Sequence, residues 1–366
     1  MASPPPPPPP SSDDPVAIVT GATPSPAQLH PHPNPLLPSS PPHPNPLPSS
    51  PPPLLPPYPT NPQLTHPTPN HQSGIGLALA RTLLTPRHGH TTHRVALVGR
   101  RTDVGTALAR SLDPSGGTRA RFFAADVASY ASQAAMFRAV REAFGRVDVL
   151  VANAGETDRG SVYGLLDGEE DAQEGEDGGE VVVPPEPDLG ATDVCYKGVV
   201  YGVLLAARFM RGNDAGEGGV RGRVVVTGSV GAFHPHPVVP EYCGAKAAVV
   251  AFVRGVAGVM WAKHRVVVNV VHPGLVSTPI VPEEMIRAVP EGCPTPMETV
   301  LEGFRIYLED ETGRTGEQME ASGTNIVYYD RPAYANGIAT EGATTVWEPW
   351  FVMGHGEESG LSGTYR

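Results

Sequence analysis

Ser229, Tyr242 and Lys246 are the residues whose types and spacing could carry acid–base chemistry together. Tyr242-Cys243-Gly244-Ala245-Lys246 is a YxxxK motif, and Ser229 stands thirteen residues before its tyrosine. A separation of four places Tyr242 and Lys246 on one helix face, where the ammonium can lie near the phenol and favour its ionised form. Free tyrosine has a pKa of about 10, and a group that exchanges a proton with an alcohol works best when its pKa is near the operating pH. On its own YxxxK is also what an ordinary amphipathic helix shows to solvent. The argument therefore rests on what surrounds it.

Thr20-Gly21-Ala22 follows a short apolar run, and Ser73-Gly74-Ile75-Gly76 opens a helical pattern. Joined across the proline-rich residues between them, the two halves give TGxxxGxG with about 49 extra residues inside it. In an intact turn of this kind the glycines let the backbone approach a pyrophosphate, and the helix N-terminus supplies amide donors and a partial positive charge. Asp126-Val127, Asn153-Ala154-Gly155 and Pro273-Gly274 with Val276 and Thr278 follow along the chain. In type and order these motifs resemble the short-chain dehydrogenase/reductase family, over residues 16 to about 280 apart from insertions.

The resemblance implies an NAD(P)-dependent oxidoreductase acting on CH–OH groups. Tyr242 would exchange the proton with the substrate oxygen, Ser229 would hydrogen-bond that oxygen, and Lys246 would also bind the nicotinamide ribose. Gly21, Ser73, Gly74, Ile75 and Gly76 would form the pyrophosphate turn. Asp126 and Val127 would meet the adenine, Asn153, Ala154 and Gly155 would line the crevice, and Pro273, Gly274, Val276 and Thr278 would close over the nicotinamide. No metal is implied. Pro187-Asp188-Leu189 and the Tyr242-Cys243 pairing are similar to fungal relatives of 15-hydroxyprostaglandin dehydrogenase, which points to a secondary alcohol or ketone on a small apolar molecule. Dimers or tetramers are usual in the family, so a homodimer or homotetramer is expected.

Cofactor choice is read at the end of the second strand, Val95-Ala96-Leu97-Val98-Gly99-Arg100-Arg101. An acidic residue there would bind a ribose 2′-hydroxyl and signal NAD. Gly99 takes that place, and Arg100 could pair with a 2′-phosphate. NADP is expected, with NAD as the alternative. Two departures bear on activity, the insertion in the phosphate turn and the segment Val194-Cys195-Tyr196-Lys197-Gly198, which aligns with one in which the family usually has asparagine where Cys195 stands; a thiol is a weak hydrogen-bond partner. A non-catalytic cofactor-binding or scaffold member is the contrasting reading.

Strand-like and helix-like segments alternate around these motifs. Pro15 to Ala22 reads as a short buried strand running into a glycine turn, and further strands are expected at Val95–Val98, Arg121–Ala124, Val147–Val151, Arg223–Thr227, Val266–Val271 and Gly323–Tyr329. A helix is expected from the segment Ser73–Leu84, which opens with small residues, and further helices at Val104–Leu112, Ser132–Phe144, Val194–Met210, Tyr242–Trp261 and Met297–Leu308. Alternating βα units of this length imply an α/β fold, a Rossmann-like doubly wound parallel sheet with helices on both faces, in a single domain over residues 16–330.

Two insertions interrupt that domain. Of 44 prolines, 28 fall in residues 1–72, leaving 16 in the remaining 294 residues. Residues 1–15 read as a disordered N-terminus, and Thr23 to Gln72 cannot bury a core. Apart from Ala27, every residue type in that segment has codons beginning with C, T or A, which resembles a translated, retained intron. A tolerated surface loop is the alternative, and a polyproline ligand for an SH3-like module is a third, against which stands the absence of Lys and Arg. From Glu156 to Asp188 there are twelve acids and one base, Arg159, so residues 156–190 read as a solvated acidic loop without EF-hand spacing. The tail, 331–366, holds Trp347, Trp350, Phe351 and Met353, expected to dock on the domain or on a neighbouring subunit.

A net charge of −12 argues against a nucleic-acid partner. Cys195, Cys243 and Cys293 lie far apart, which argues against a disulfide framework or zinc site. No basic n-region precedes an apolar stretch at the N-terminus, and no run is read as membrane-spanning, so a cytoplasmic location is expected.

Overall fold

Runs of valine and its neighbours with almost no polar interruption form strands buried on both faces, the pattern of a parallel sheet. The computed structural model describes residues 14–22, 74–85, 92–165 and 183–361. The strands are β1 Val16–Thr20, β2 Arg94–Gly99, β3 Ala120–Ala124, β4 Val149–Ala152, β5 Gly222–Thr227, β6 Val266–Pro273, β7 Gln318–Ser322 and β8 Asn325–Tyr328. They form one sheet in the order β3-β2-β1-β4-β5-β6-β7-β8, parallel throughout except for the antiparallel β7–β8 pair. Every residue of β1 and of β6 is buried.

The helices are α1 Ile75–Leu84, α2 Thr102–Leu112, α3 Tyr130–Phe144, α4 Gly190–Thr192, α5 Gly198–Met210, α6 Pro240–His264, α7 Glu283–Ala288, α8 Met297–Leu308, α9 Gly337–Thr345 and α10 Glu348–His355. Leu79, Leu83, Ala109, Val300 and Phe304 from α1, α2 and α8 pack on one face of the sheet. Phe137, Val140, Val203, Ala206, Val249 and Val253 from α3, α5 and α6 pack on the other. This is the Rossmann-like doubly wound arrangement that the sequence implies. The order of strands reverses between β1 and β4, and the crevice outside their carboxyl ends is where such sheets bind ligands.

Three of the expected elements differ. The last parallel strand is β7, not Gly323–Tyr329; that stretch makes a turn at Gly323 (φ +53°) followed by β8. The sequence Gln318-Met319-Glu320-Ala321-Ser322 buries Met319 and Ala321 but carries polar residues between them, so it lacks the valine run that marks the other strands. The helix expected from Val194 is broken: α4 leads into a π-helical turn, Asp193–Lys197, before α5 begins. Finally, α6 is longer than expected at 25 residues, and among the described helices it alone has the length and apolarity to cross a membrane. Its Val249, Val253 and Ala257 are instead core residues against the sheet.

In the tail, Phe351 lies under the Lys263 ammonium at 5.3 Å, and Lys263 also pairs with Glu357 at 2.7 Å. Trp347 meets Phe351 edge-on, whereas Trp350 and Met353 are exposed. The proline-rich segment, Ser73 and Asp167 to Glu180 lie outside the described residues.

Candidate active site

Parallel pairing of Val19 with Val98's neighbour Leu97 and with Val151 brings the ends of β1, β2 and β4 level. Gly21 follows β1 with φ +67°, a conformation that favours glycine, and an added Cβ would lie 2.8 Å from the Ala154 Cα. Gly76, in the first turn of α1, is equally confined: its Cβ would lie 2.8 Å from the Gly21 carbonyl oxygen and 2.8 Å from Asn153 Nδ2. The two halves of the glycine motif are therefore in contact, despite the segment between them. Gly74, the N-cap of α1, has open space where its Cβ would be. With Ile75 it begins a helix whose first-turn amides have no partner within the helix.

Asn153 ties three strands together. Its Nδ2 donates to the Thr20 carbonyl at 3.2 Å, and its Oδ1 accepts from Thr227 Oγ1 at 3.0 Å. The amides of Asn153 and Ala154 both donate to Thr20 Oγ1, at 3.0 and 3.1 Å. Gly155 comes next, where a Cβ would lie 3.6 Å from Cys195 Sγ and 3.7 Å from Lys246 Nζ. The Cys195 thiol is fully buried, pushed up in pKa by that burial, and donates to the Glu156 carbonyl at 3.3 Å.

Ser229 lies just past β5 and caps a short 3-10 turn, Val230–Ala232, its Oγ accepting from the Gly231 amide at 3.1 Å. A Cβ on Gly231 would be 3.3 Å from Ser229 Oγ and 4.0 Å from Tyr242 Cε1, so both side chains flank that point. Lys246 is buried, donates to the Thr227 carbonyl at 2.7 Å, and holds its ammonium 5.6 Å from the Tyr242 ring centroid. Ser229, Tyr242 and Lys246 thus meet beside the carboxyl end of β5, next to the crevice.

The remaining positions surround that centre. Pro273 ends β6, and Gly274 sits where a Cβ would be 2.7 Å from Thr295 Oγ1 and 2.8 Å from Ser322 Cβ. Val276 is buried in the core on the α1 face, and the Thr278 carbonyl accepts from the Val281 amide. Asp126 Oδ1 accepts from the Ala128 amide at 3.0 Å, and Gln133 Nε2 donates to the Val127 carbonyl at 2.7 Å. Arg100 follows β2, half-exposed, with its guanidinium 3.8 Å from Glu156.

Sequence reasoning missed Asp158. Its two carboxylate oxygens accept from the Tyr242 amide at 2.8 Å and the Glu241 amide at 3.0 Å. These are first-turn donors of α6, whose N-cap residue Val239 makes no side-chain cap bond. The placement of Asp158 three residues after Gly155 was the available signal, but nothing local pairs it with a helix 84 residues away.

The chemistry of the glycine turn and of the α1 N-terminus, packed against the tied Asn153, fits a dinucleotide: Gly21, Gly74, Ile75 and Gly76 would meet its pyrophosphate, and Lys246 its nicotinamide ribose.

Comparison with known proteins agrees with this architecture. Residues 71–286 match the family pattern described as short chain dehydrogenase. The chain is 47% identical over 290 residues to the short-chain dehydrogenase/reductase prx6 of Penicillium rubens, an alignment covering 79% of this chain and 91% of that protein. It is 29% identical over 209 residues to 15-hydroxyprostaglandin dehydrogenase [NAD(+)] of Mus musculus, covering 57% of this chain and 65% of that one. Among solved structures, a 3-oxoacyl-[acyl-carrier protein] reductase from Brucella melitensis in complex with NAD superposes with a TM-score of 0.57 at 24% identity, over 86% of this chain and 97% of that one.

Proposed function

This chain belongs to the short-chain dehydrogenase/reductase family, an oxidoreductase family that binds NAD(P), and from that premise we propose that it interconverts a secondary alcohol and a ketone on a small apolar substrate with NADP as the preferred cofactor. The observation that carries this reading is the approach of Ser229 and Tyr242 to one point beside Gly231, with the Lys246 ammonium 5.6 Å from the Tyr242 ring centroid. Tyr242 exchanges the proton with the substrate oxygen, and the Ser229 hydroxyl hydrogen-bonds the same oxygen. Lys246 places a positive charge beside the ring that handles the proton, held there by its bond to the Thr227 carbonyl. The nicotinamide group, when bound, supplies or accepts the hydride.

An apolar recess of 410 Å³ borders the same turn, lined by Gly231, Ala232, Pro235, Pro237 and Cys243 among others, which supports an apolar substrate. Gly99 offers no carboxylate to repel a 2′-phosphate, and Arg100 stands at the end of β2 within reach of the crevice mouth, which supports NADP.

Tyr242→Phe is expected to abolish turnover of a ketone panel while leaving cofactor binding, followed by nicotinamide fluorescence, largely intact. Retained turnover would remove Tyr242 from the acid–base role. The packing of Cys195 against Glu156 motivates the second reading, a non-catalytic member. Cofactor binding by the unmutated protein without turnover of any panel member would favour it.

A further inference from the structure

His272, the penultimate residue of β6, is fully buried and is not used in the mechanism above. Its Nδ1 lies 3.1 Å from the Ser229 amide nitrogen and 3.0 Å from the Ser229 carbonyl oxygen, and its Nε2 lies 2.9 Å from Gln318 Oε1. Gln318 is itself buried in β7, and its Nε2 faces the Gly316 carbonyl at 3.5 Å, which turns Oε1 toward the ring. An amide oxygen only accepts, so Nε2 must carry the ring proton. In a neutral imidazole Nδ1 is then an acceptor, and of the two Ser229 groups beside it only the amide can donate.

The surroundings hold the ring in this place. A Cβ on Gly228 would lie 2.2 Å from Nδ1, Phe233 packs edge-on at 4.9 Å, and Tyr329 stacks on Phe233 at 3.9 Å. We propose that His272, oriented by Gln318, is a positioning residue for Ser229: its Nε2–H tautomer accepts the Ser229 amide proton and fixes the turn that aims the Ser229 hydroxyl. This rests on the reading of Ser229 as the group that binds the substrate oxygen.

The tautomer makes the contact sensitive to protonation. An imidazolium would present Nδ1–H to the Ser229 carbonyl and leave the Ser229 amide without its acceptor. Burial first, and the Lys246 ammonium in addition, push His272 down to about 4, while the Glu320 carboxylate on β7 pulls the other way. Tyr329, the other titratable side chain facing the ring, gives its hydroxyl to Glu320.

Two measurements on the full chain test the proposal. Nitrogen-15 NMR of the imidazoles at neutral pH needs no substrate and should show His272 protonated at Nε2 and bare at Nδ1; the opposite tautomer overturns the proposal. Gln318→Glu sets a carboxylate against Nε2 and favours the imidazolium, so the acid limb of the kcat profile should move up by about one pH unit or more, with cofactor affinity unchanged. Gln318→Met, which removes the acceptor without adding charge, should lower kcat about tenfold without moving that limb. An acid limb unmoved in a folded Gln318→Glu variant, with Ser229→Ala inactive, overturns the role of His272 alone. Retained turnover in Ser229→Ala overturns the serine reading itself, and the tautomer measurement stands apart from both.

Discussion

At the scale of single residues, Arg100 and Asp158 show how differently side chains expose their purpose. Arg100 is the residue proposed to read the 2′-phosphate, and its guanidinium lies 3.8 Å from Glu156. A partly exposed pair of that length is worth about 1 kcal/mol, whereas a charge-assisted bond to a phosphate is worth about 1.5–3 kcal/mol, so a 2′-phosphate should win the guanidinium. Arg100→Ala is therefore expected to weaken NADP by about 1–3 kcal/mol in a fluorescence titration and to leave NAD nearly unchanged. Equal losses for the two cofactors would show that Arg100 does not read the 2′-phosphate. Asp158→Ala removes the acceptor of two first-turn amides of α6 and should cost about 1–2 kcal/mol in chemical denaturation, with kcat falling because the Tyr242 backbone loses its anchor. Ser229, Tyr242 and Lys246 could be singled out from their types and spacing, and Asn153 from its resemblance to a family motif. Asp158 and His272 were not, because each acts on a residue remote in sequence, 84 and 43 positions away, through a contact that only the fold creates.

At the scale of elements, the strands rich in valine were readable as buried strands, and the turns following them carried the glycines that close packing demands. Two of the features that escaped have polar groups satisfied at a distance. β7 alternates polar and apolar residues because Gln318 bonds across the sheet to His272, and the π-helical turn at Cys195 answers to the Glu156 carbonyl outside the helix. Gly76 and Gly74 give the glycine turn two separable tests. Gly76→Ala pushes a methyl group to 2.8 Å from both the Gly21 carbonyl and Asn153 Nδ2, and is expected to destabilise the protein by about 1–3 kcal/mol in denaturant titrations. Gly74→Ala meets nothing within 4 Å and should change stability by about 0.5 kcal/mol or less, yet weaken dinucleotide binding by filling the approach to the α1 N-terminus. If Gly76→Ala proved as stable as the parent, the close contact of β1 and α1 would be wrong.

At the scale of the whole molecule, two histidines, buried His272 and half-buried His93, tie stability to pH, and a segment outside the described residues joins two ends that already touch. His272 and His93 are both pushed down to about 4 by burial, from an ordinary value of 6.5. Between those values the unfolded chain binds protons that the native state does not, so their stabilising contribution is complete above pH 6.5 and is lost as the pH falls toward 4. For His272 the loss amounts to about 3 kcal/mol, and His93 adds to it in the same direction, which denaturation curves at pH 7 and pH 5 would register as a lower midpoint at pH 5. The second consequence concerns Pro24 to Gln72. With a Gly76 Cβ only 2.8 Å from the Gly21 oxygen, and the Ala22 amide bonded to the Val98 carbonyl at 3.3 Å, the crevice needs no more than Thr23 and Ser73 to pass from β1 to α1. Removing the segment restores TGxxxGxG as continuous chain. Each doubling of a loop costs about 0.6 kcal/mol in closure, so shortening this one by some four doublings should raise stability by about 2 kcal/mol. Dinucleotide affinity should rise as well, since no chain would then be rooted beside the pyrophosphate turn. Weaker binding or a lower denaturation midpoint in the deletion variant would show that residues 24–72 contribute to the folded enzyme rather than obstruct it.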